Sequence, residues 1–243
     1  MADIDAAEAA KFSRMAASWW DPRGPAAPLH AVNPLRLDYI LDQAALRFGR
    51  DRRARRPLEG LTALDVGCGG GLVAEPLARL GAAVTGLDAS GEMLGAARAH
   101  AEAGGLAIDY RADTAEALAL RGETFDLALA LEVVEHVADP AAFCGALGAL
   151  TKPGGLLVAS TINRTAASLL KAKFAAERVL GWLPPGTHDW RRFPTPRELA
   201  GWIEAAGLRV ADRTGMAYSP LRGGWRLAPD DLSVNYLLTA ERD

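Results

Sequence analysis

The chain has 243 residues, half of them hydrophobic and 23% charged, with 27 Lys and Arg against 30 Asp and Glu for a net charge of −3. That length allows one large domain or two small ones; the charge balance offers no basic field for nucleic acid, and no apolar run is long enough to span a bilayer. The two distant cysteines, Cys68 and Cys144, speak against a zinc site or a disulfide framework, and the acidic start Met1-Ala2-Asp3-Ile4-Asp5 has no signal-peptide core, so a reducing, cytoplasmic setting is expected.

Residues 1–60 read as a helical N-terminal extension, with Phe12, Met15, Ala16 and Trp19 at i, i+3, i+4 and i+7. Arg50, Arg52, Arg53, Arg55 and Arg56 follow as a basic, solvated link. From residue 61 strands and helices alternate. Strands are predicted at 62–66, 83–88, 107–112, 125–131 and 155–160, and helices at 72–80, 90–103, 114–120, 140–150 and 195–206. Such alternation makes βαβ units, an α/β class with a mostly parallel sheet and helices on both faces. Lys152-Pro153-Gly154-Gly155 reads as a turn feeding the fifth strand. Two later extended runs, 208–214 and 233–239, are expected to form an antiparallel pair at one edge, across a loop rich in Gly, Arg and Pro. Segment 162–194 interrupts the alternation, and connections this long usually carry function. The main domain is therefore placed at 61–243, with 162–194 inserted in it.

Leu64-Asp65-Val66-Gly67-Cys68-Gly69-Gly70-Gly71 reads as a buried strand, a glycine turn and the start of a helix. Glycine permits positive φ and close approach of a ligand to the backbone, and a helix N-terminus presents unpaired N–H groups. Asp88 ends the next apolar run, where a doubly wound sheet places an acceptor for ribose hydroxyls. These features point to an adenosine-containing cofactor. The dinucleotide fingerprint asks for a third glycine at its sixth position, which here is Leu72. The spacing Asp65-x-Gly67-x-Gly69-x-Gly71 instead resembles the cofactor loop of class I S-adenosylmethionine (SAM) methyltransferases. In that resemblance Asp65 suits the ammonium of the cofactor's amino-acid end, and the N–H groups of Gly67 and Gly69 suit its carboxylate.

Further segments carry a sharper likeness: Ser18-Trp19-Trp20-Asp21, Pro28-Leu29-His30, Asn33-Pro34-Leu35-Arg36, Glu132-x-x-Glu135-His136, Ser160-Thr161-x-Asn163-Arg164, Thr187-His188-Asp189 and Val234-Asn235-Tyr236. In this order, with the glycine loop and Val84-Thr85-Gly86-Leu87-Asp88, they resemble the ubiquinone-biosynthesis O-methyltransferase family (UbiG). The resemblance implies a Rossmann-like, seven-stranded, mostly parallel sheet. It also implies methyl transfer from SAM to phenolic hydroxyls of polyprenylated intermediates, 2-polyprenyl-6-hydroxyphenol and 3-demethylubiquinol, and association with other enzymes of that pathway. Arg36 then matches an arginine that holds the cofactor, a guanidinium fork suited to a carboxylate. Asp113 would accept from the adenine amine, with a helix N-cap as its competing role. Leu131, where a Met is often found, would line the cofactor pocket or simply belong to the core. The arginine-rich link is longer than usual in the family.

Glu132, Glu135 and His136 close the fourth strand. If the chain turned helical there, i, i+3 and i+4 would share one face, and two carboxylates with an imidazole would suit Mg²⁺, with substrate completing the coordination. Many metal-free methyltransferases also carry a Glu or His at this strand end, so Glu135 or His136 as proton acceptor stands beside the metal reading. Either answers one need: a phenol of pKa about 10 is mostly protonated at neutral pH.

A polyprenyl tail keeps a substrate in the bilayer. Segment 164–183 sets Arg164, Lys171, Lys173 and Arg178 against Glu177 among Leu169, Leu170, Phe174, Val179, Leu180, Trp182 and Leu183, a composition suited to peripheral contact with an anionic inner membrane face. Lys173 falls within the apolar arc, and an ordinary lid helix is the competing reading. From other classes, a nicotinamide-dependent oxidoreductase is disfavoured by Leu72, and a non-catalytic lipid-binding module or another class I small-molecule methyltransferase stays open.

Overall fold

The computed structural model describes residues 16–24, 26–169, 190–219 and 224–243. Among them one sheet runs through the molecule, built from β1 (Thr62–Val66), β2 (Ala83–Leu87), β3 (Asp109–Arg111), β4 (Phe125–Leu131), β5 (Thr151–Ile162), β6 (Arg209–Ser219), β7 (Gly224–Ala228) and β8 (Asn235–Glu241). Its order is β3-β2-β1-β4-β5-β8-β6-β7. Strands β1 to β5 pair in parallel; β8 runs antiparallel between β5 and β6, and β7 is antiparallel to β6. The helices are α1 (Ala27–Phe48), α2 (Ala74–Arg79), α3 (Gly91–Ala103), α4 (Ala115–Leu120), α5 (Pro140–Leu150) and α6 (Pro196–Ala205).

The central strands are apolar on both sides because both sides are covered, as parallel sheets require. One buried cluster joins Leu64, Leu118, Phe143, Leu147 and Ile203 beneath α4, α5 and α6. The other joins Ile40, Leu77, Leu94, Leu127 and Val158 beneath α1, α2 and α3. Helix starts are fixed by side-chain acceptors. Asp139 accepts from the Ala141 and Ala142 N–H groups at 3.0 Å each, and Thr195 with Glu198 forms a reciprocal capping box.

Helix α1 lies along this second face from one end of the sheet to the other. Arg36 meets Glu132 at the carboxyl end of β4, at 2.6 Å. Arg47, three turns on, donates to the Gly154 and Arg242 carbonyls at 3.0 and 2.9 Å near the start of β5. Between them the Tyr39 hydroxyl donates to Asp212 on β6 and meets the Thr239 hydroxyl on β8, each at 2.8 Å. Burial pushes the Tyr39 phenol well above its usual range, so it remains a hydroxyl donor.

Strands β1 and β4 and helix α5 have the predicted bounds. The sheet has eight strands among the described residues, not seven. The extra one, β7, comes from the stretch expected as loop: Trp225 and Leu227 pair with Tyr218 and Met216, so glycine and arginine there concealed a short alternating strand. The β6/β8 pair is antiparallel as expected but internal, with β7 at the edge. Strand β5 starts at Thr151 because the Lys-Pro-Gly-Gly stretch stays in the ladder across a register shift, with Gly154 at φ 76°. At the N-terminus Phe12 and Met15 lie outside the described residues. Residues 16–18 form a 3₁₀ turn, and among the described residues continuous helix begins at Ala27, with Pro28 in its first turn. Most of segment 164–183 lies outside the described residues. Among those described, no helix is long and apolar enough to cross a membrane.

Candidate active site

The carboxyl ends of β1, β2 and β4 and the loops that leave them form one rim, where open α/β sheets bind ligands. After β1 the chain turns through Gly67, whose φ of 71° favours glycine and whose missing side chain leaves room for Val133, 2.5 Å from where a Cβ would stand. Gly70 is closed off by another neighbour: a Cβ there would lie 2.2 Å from the Trp19 ring. The loop's own turn uses some of the N–H groups expected for a ligand. Gly71 donates to the Cys68 carbonyl and Gly69 to an Asp88 carboxylate oxygen, both at 2.9 Å. The expectation that the Gly69 N–H serves a cofactor carboxylate is therefore not met in this geometry.

Asp65 is buried beneath this loop, and its Oδ2 has no hydrogen-bond partner among the described residues. Burial first, and then the nearby Asp88 charge, push its carboxyl up to about 7, against a weaker opposing bond from the Ala74 N–H. An unpaired buried carboxylate is costly, and a cation placed beside it relieves that cost. Asp88 is also pushed up by burial, opposed by N–H donors from Ser90 and Gly69. Those two bonds leave lone pairs on both oxygens for hydroxyl donors. The chain thus offers an anion for an ammonium and an acceptor for a diol, which is the polar chemistry that SAM requires.

Asp113 follows β3 as predicted, yet its carboxylate accepts from the Thr114 N–H at 2.8 Å and is ion-paired with Arg121. The Arg121 guanidinium and that N–H hold it below the usual carboxylate range despite some desolvation. The capping role belongs to Thr114, which accepts from the Ala117 N–H.

At the end of β4, Leu131 is half-buried and packs against the α1-side core. Glu132 then takes φ 57°, a left-handed conformation rare outside glycine and costing of order 1–3 kcal/mol. Its Oε1 accepts from Arg36 at 2.6 Å and from the Ser160 hydroxyl at 2.7 Å. Arg36 is itself buried, and its Nε has no partner among the described residues, leaving a donor beside the rim. Glu135 is buried and accepts from the Thr161 hydroxyl at 2.8 Å. Burial and the Glu132 charge hold its carboxyl well above the usual range, with His136 close enough to oppose them.

The left-handed step at Glu132 breaks the helical turn that would have put Glu132, Glu135 and His136 on one face; residues 134–136 form a turn instead. Among the described residues no group of three or more His, Cys, Asp or Glu side chains is placed to hold a metal ion. Glu132 already has a guanidinium partner, so this donor set does not fit Mg²⁺ as it stands.

Sequence reasoning gave Arg36 a role at the cofactor but none to Trp19, Trp20 or Asn33 in the Trp-Trp-Asp and Asn-Pro-Leu-Arg segments. Trp20 donates to the Gly70 carbonyl at 3.0 Å, and Asn33 to the Leu72 carbonyl at 2.7 Å, so the N-terminal segment sits on the cofactor loop. Only the aromatic pair next to a glycine-rich rim could have signalled this.

Residues 64–159 match the model of a family described as a methyltransferase domain. A protein named ubiquinone biosynthesis O-methyltransferase from Dinoroseobacter shibae is 55% identical over 239 residues, 98% of this chain and 96% of that protein. Proteins of the same name from a Methylobacterium species and from Cereibacter sphaeroides are equally similar, 55% identical over 98% of the chain. The chain belongs to the ubiquinone biosynthesis O-methyltransferase family. Solved structures agree on the fold of this family member. A magnesium protoporphyrin IX methyltransferase from Synechocystis with bound SAH matches with a TM-score of 0.67 at 22% identity, covering 99% of this chain and 96% of that one. A SAM-dependent methyltransferase from Thermotoga maritima gives 0.63 at 17% identity over 96% and 99%. The methyltransferase expectation is met, and the nicotinamide reading is set aside.

Proposed function

We infer that this ubiquinone biosynthesis O-methyltransferase moves the methyl group of SAM to phenolic oxygens of polyprenylated substrates, 2-polyprenyl-6-hydroxyphenol and 3-demethylubiquinol. The observation that carries the reading is the buried Asp65 carboxylate under the glycine loop, whose Oδ2 has no partner among the described residues, with Asp88 beside it and with Glu132, Glu135 and the α1 residue Arg36 at the carboxyl end of β4. Bound there, SAM supplies an electrophilic methyl on a sulfonium. Asp65 pairs with the ammonium and Asp88 accepts from the ribose. The free Nε of Arg36 donates to the carboxylate, Asp113 stands toward the adenine and Leu131 lines the pocket. No nucleophilic side chain is required; orientation of the phenol oxygen, roughly 3 Å from the methyl carbon, is the main task.

The phenol proton needs an acceptor. Glu135, held above the usual carboxylate range and fixed by Thr161, is matched to that role, with His136 one residue on. A divalent cation such as Mg²⁺ would serve the same end only if Glu132 left Arg36. The roles separate in one assay of methyl transfer to a prenylated catechol. Glu135→Gln is expected to lower kcat by about 10²-fold or more with SAM affinity intact, while a chelator leaves wild-type transfer unchanged. Loss of transfer on chelation and recovery with Mg²⁺ would move the burden to a metal. Peripheral contact with an anionic membrane through 164–183, at the inner face, belongs to the same reading and rests on the sequence of that segment.

A further inference from the structure

Several side chains hold the N-terminal segment on the cofactor loop. Trp19 is buried against Gly69 and Gly70, and the Trp20 indole N–H donates to the Gly70 carbonyl at 3.0 Å. The Trp20 ring stacks flat on the His100 imidazole near the end of α3, with centroids 3.5 Å apart and planes 5° from parallel. His100 Nδ1 lies 2.6 Å from an oxygen of Glu75 on α2, a carboxylate 2% exposed, whose other oxygen meets Arg79 at 3.4 Å. Glu75 is tied to the same loop, donating its N–H to the Gly71 carbonyl at 3.0 Å. Glycine loop, N-terminal segment and both following helices therefore meet at one imidazole.

We propose that Trp20, His100 and Glu75 form a latch that keeps the N-terminal segment closed over the cofactor loop and so sets the rate at which SAM and its product SAH exchange. His100 is a positioning residue: it acts through Trp20, not on the reacting atoms. The imidazole is held on two sides, at Nδ1 by the buried Glu75 carboxylate and across its face by the Trp20 indole, so that neither ring can swing out without breaking a contact of the other. The charged and titratable groups around it are Glu75 and Arg79 on α2. His30 on α1 meets the Trp20 ring edge-on at 6.1 Å and bonds the Trp19 carbonyl at 2.8 Å. The proposal rests on the glycine loop being the SAM seat.

The test is SAH exchange in the full chain at one pH, followed by stopped-flow displacement. Wild type is compared with His100→Phe, which keeps a ring under Trp20 but cannot bond Glu75, and with Trp20→Phe. The loss of one such hydrogen bond corresponds to roughly two- to tenfold in a rate. SAH release is therefore expected to speed up by that factor in both variants. Association is expected to speed up by the same factor and leave Kd nearly unchanged, a pattern that a loosened binding site would not give. An unchanged release rate in folded His100→Phe or folded Trp20→Phe would overturn the latch, as would faster release matched by an equal rise in Kd. Absence of SAH binding in wild type would instead overturn the reading of the loop itself.

Discussion

Asp65 decides how this site behaves without its ligand. Its ordinary carboxyl value is 3.8, and burial raises it to about 7 in the folded chain. Between those values the folded protein holds a proton that the unfolded chain has released, so stability falls as pH rises through that window and stays reduced above it. Asp65→Asn removes the ionisation, and the ligand-free variant is expected to gain up to about 4 kcal/mol over wild type at pH 8 while binding SAM more weakly. Thermal melts at pH 5 and pH 8 with and without SAM check this; equal melting of the two ligand-free proteins at pH 8 would mean that Asp65 is already compensated. Asp88→Ala removes the acceptor for two hydroxyls and is expected to weaken SAM by about ten- to a hundredfold, since a charge-assisted bond is worth roughly 1.5–3 kcal/mol. Calorimetry on the folded variant would show no change if Asp88 served only Gly69 and Ser90. The position of both aspartates at one rim was legible in the sequence, because Asp65 stands one residue before the end of buried strand β1 and Asp88 one residue after the end of β2. Asp113 was legible in place but not in partner: nothing along the chain says that Arg121, eight residues on, claims it. Glu132 shows the opposite difficulty, a residue whose φ of 57° undoes the spacing argument built on it.

Among the elements, α1 is the piece whose role needed coordinates. It falls within the stretch 1–60 that reads as helical, but the fastening at mid-length is polar: Tyr39 to Asp212 and Thr239, on two strands made neighbours by the β5-β8-β6 order. Tyr39→Phe removes a buried donor from the half-buried Asp212 and a partner from the buried Thr239 hydroxyl. It is expected to cost about 1–3 kcal/mol in urea unfolding, with SAM affinity little changed. A loss below about 0.5 kcal/mol would mean that solvent or Thr239 satisfies Asp212 as well as Tyr39 does. Strand β7 was hidden for a related reason. A five-residue edge strand with glycine, arginine and only two strongly apolar residues has too short a period to read alone, and its partner Tyr218–Trp225 contact appears only once the hairpin closes.

For the whole molecule, the sheet separates two surfaces that the sequence could not order. The rim with Asp65, Asp88 and Glu135 stands at the carboxyl ends of the parallel strands. The arginine-rich link 50–56 follows the C-terminus of α1 and enters β1 at Thr62, at the opposite end. A bilayer bound through that link would face away from the site. Residues 163–169 leave the carboxyl end of β5, on the side of the rim, and open segment 164–183, whose net charge of +3 would contribute on the order of 1 kcal/mol per basic residue near an anionic surface. Deleting it is expected to lower binding to anionic vesicles and activity on a long-tailed substrate while sparing SAM affinity. Unchanged vesicle binding would remove this segment as the anchor. The central claim concerns chemistry at the rim, and methyl transfer tests it most directly. Incubated with SAM carrying an isotopically labelled methyl group and a prenylated catechol in detergent, the wild-type chain is expected to yield a product bearing that label on a phenolic oxygen, and none when SAM is omitted. A folded chain that binds SAM yet leaves the catechol unlabelled, or places the label on carbon, would contradict the account.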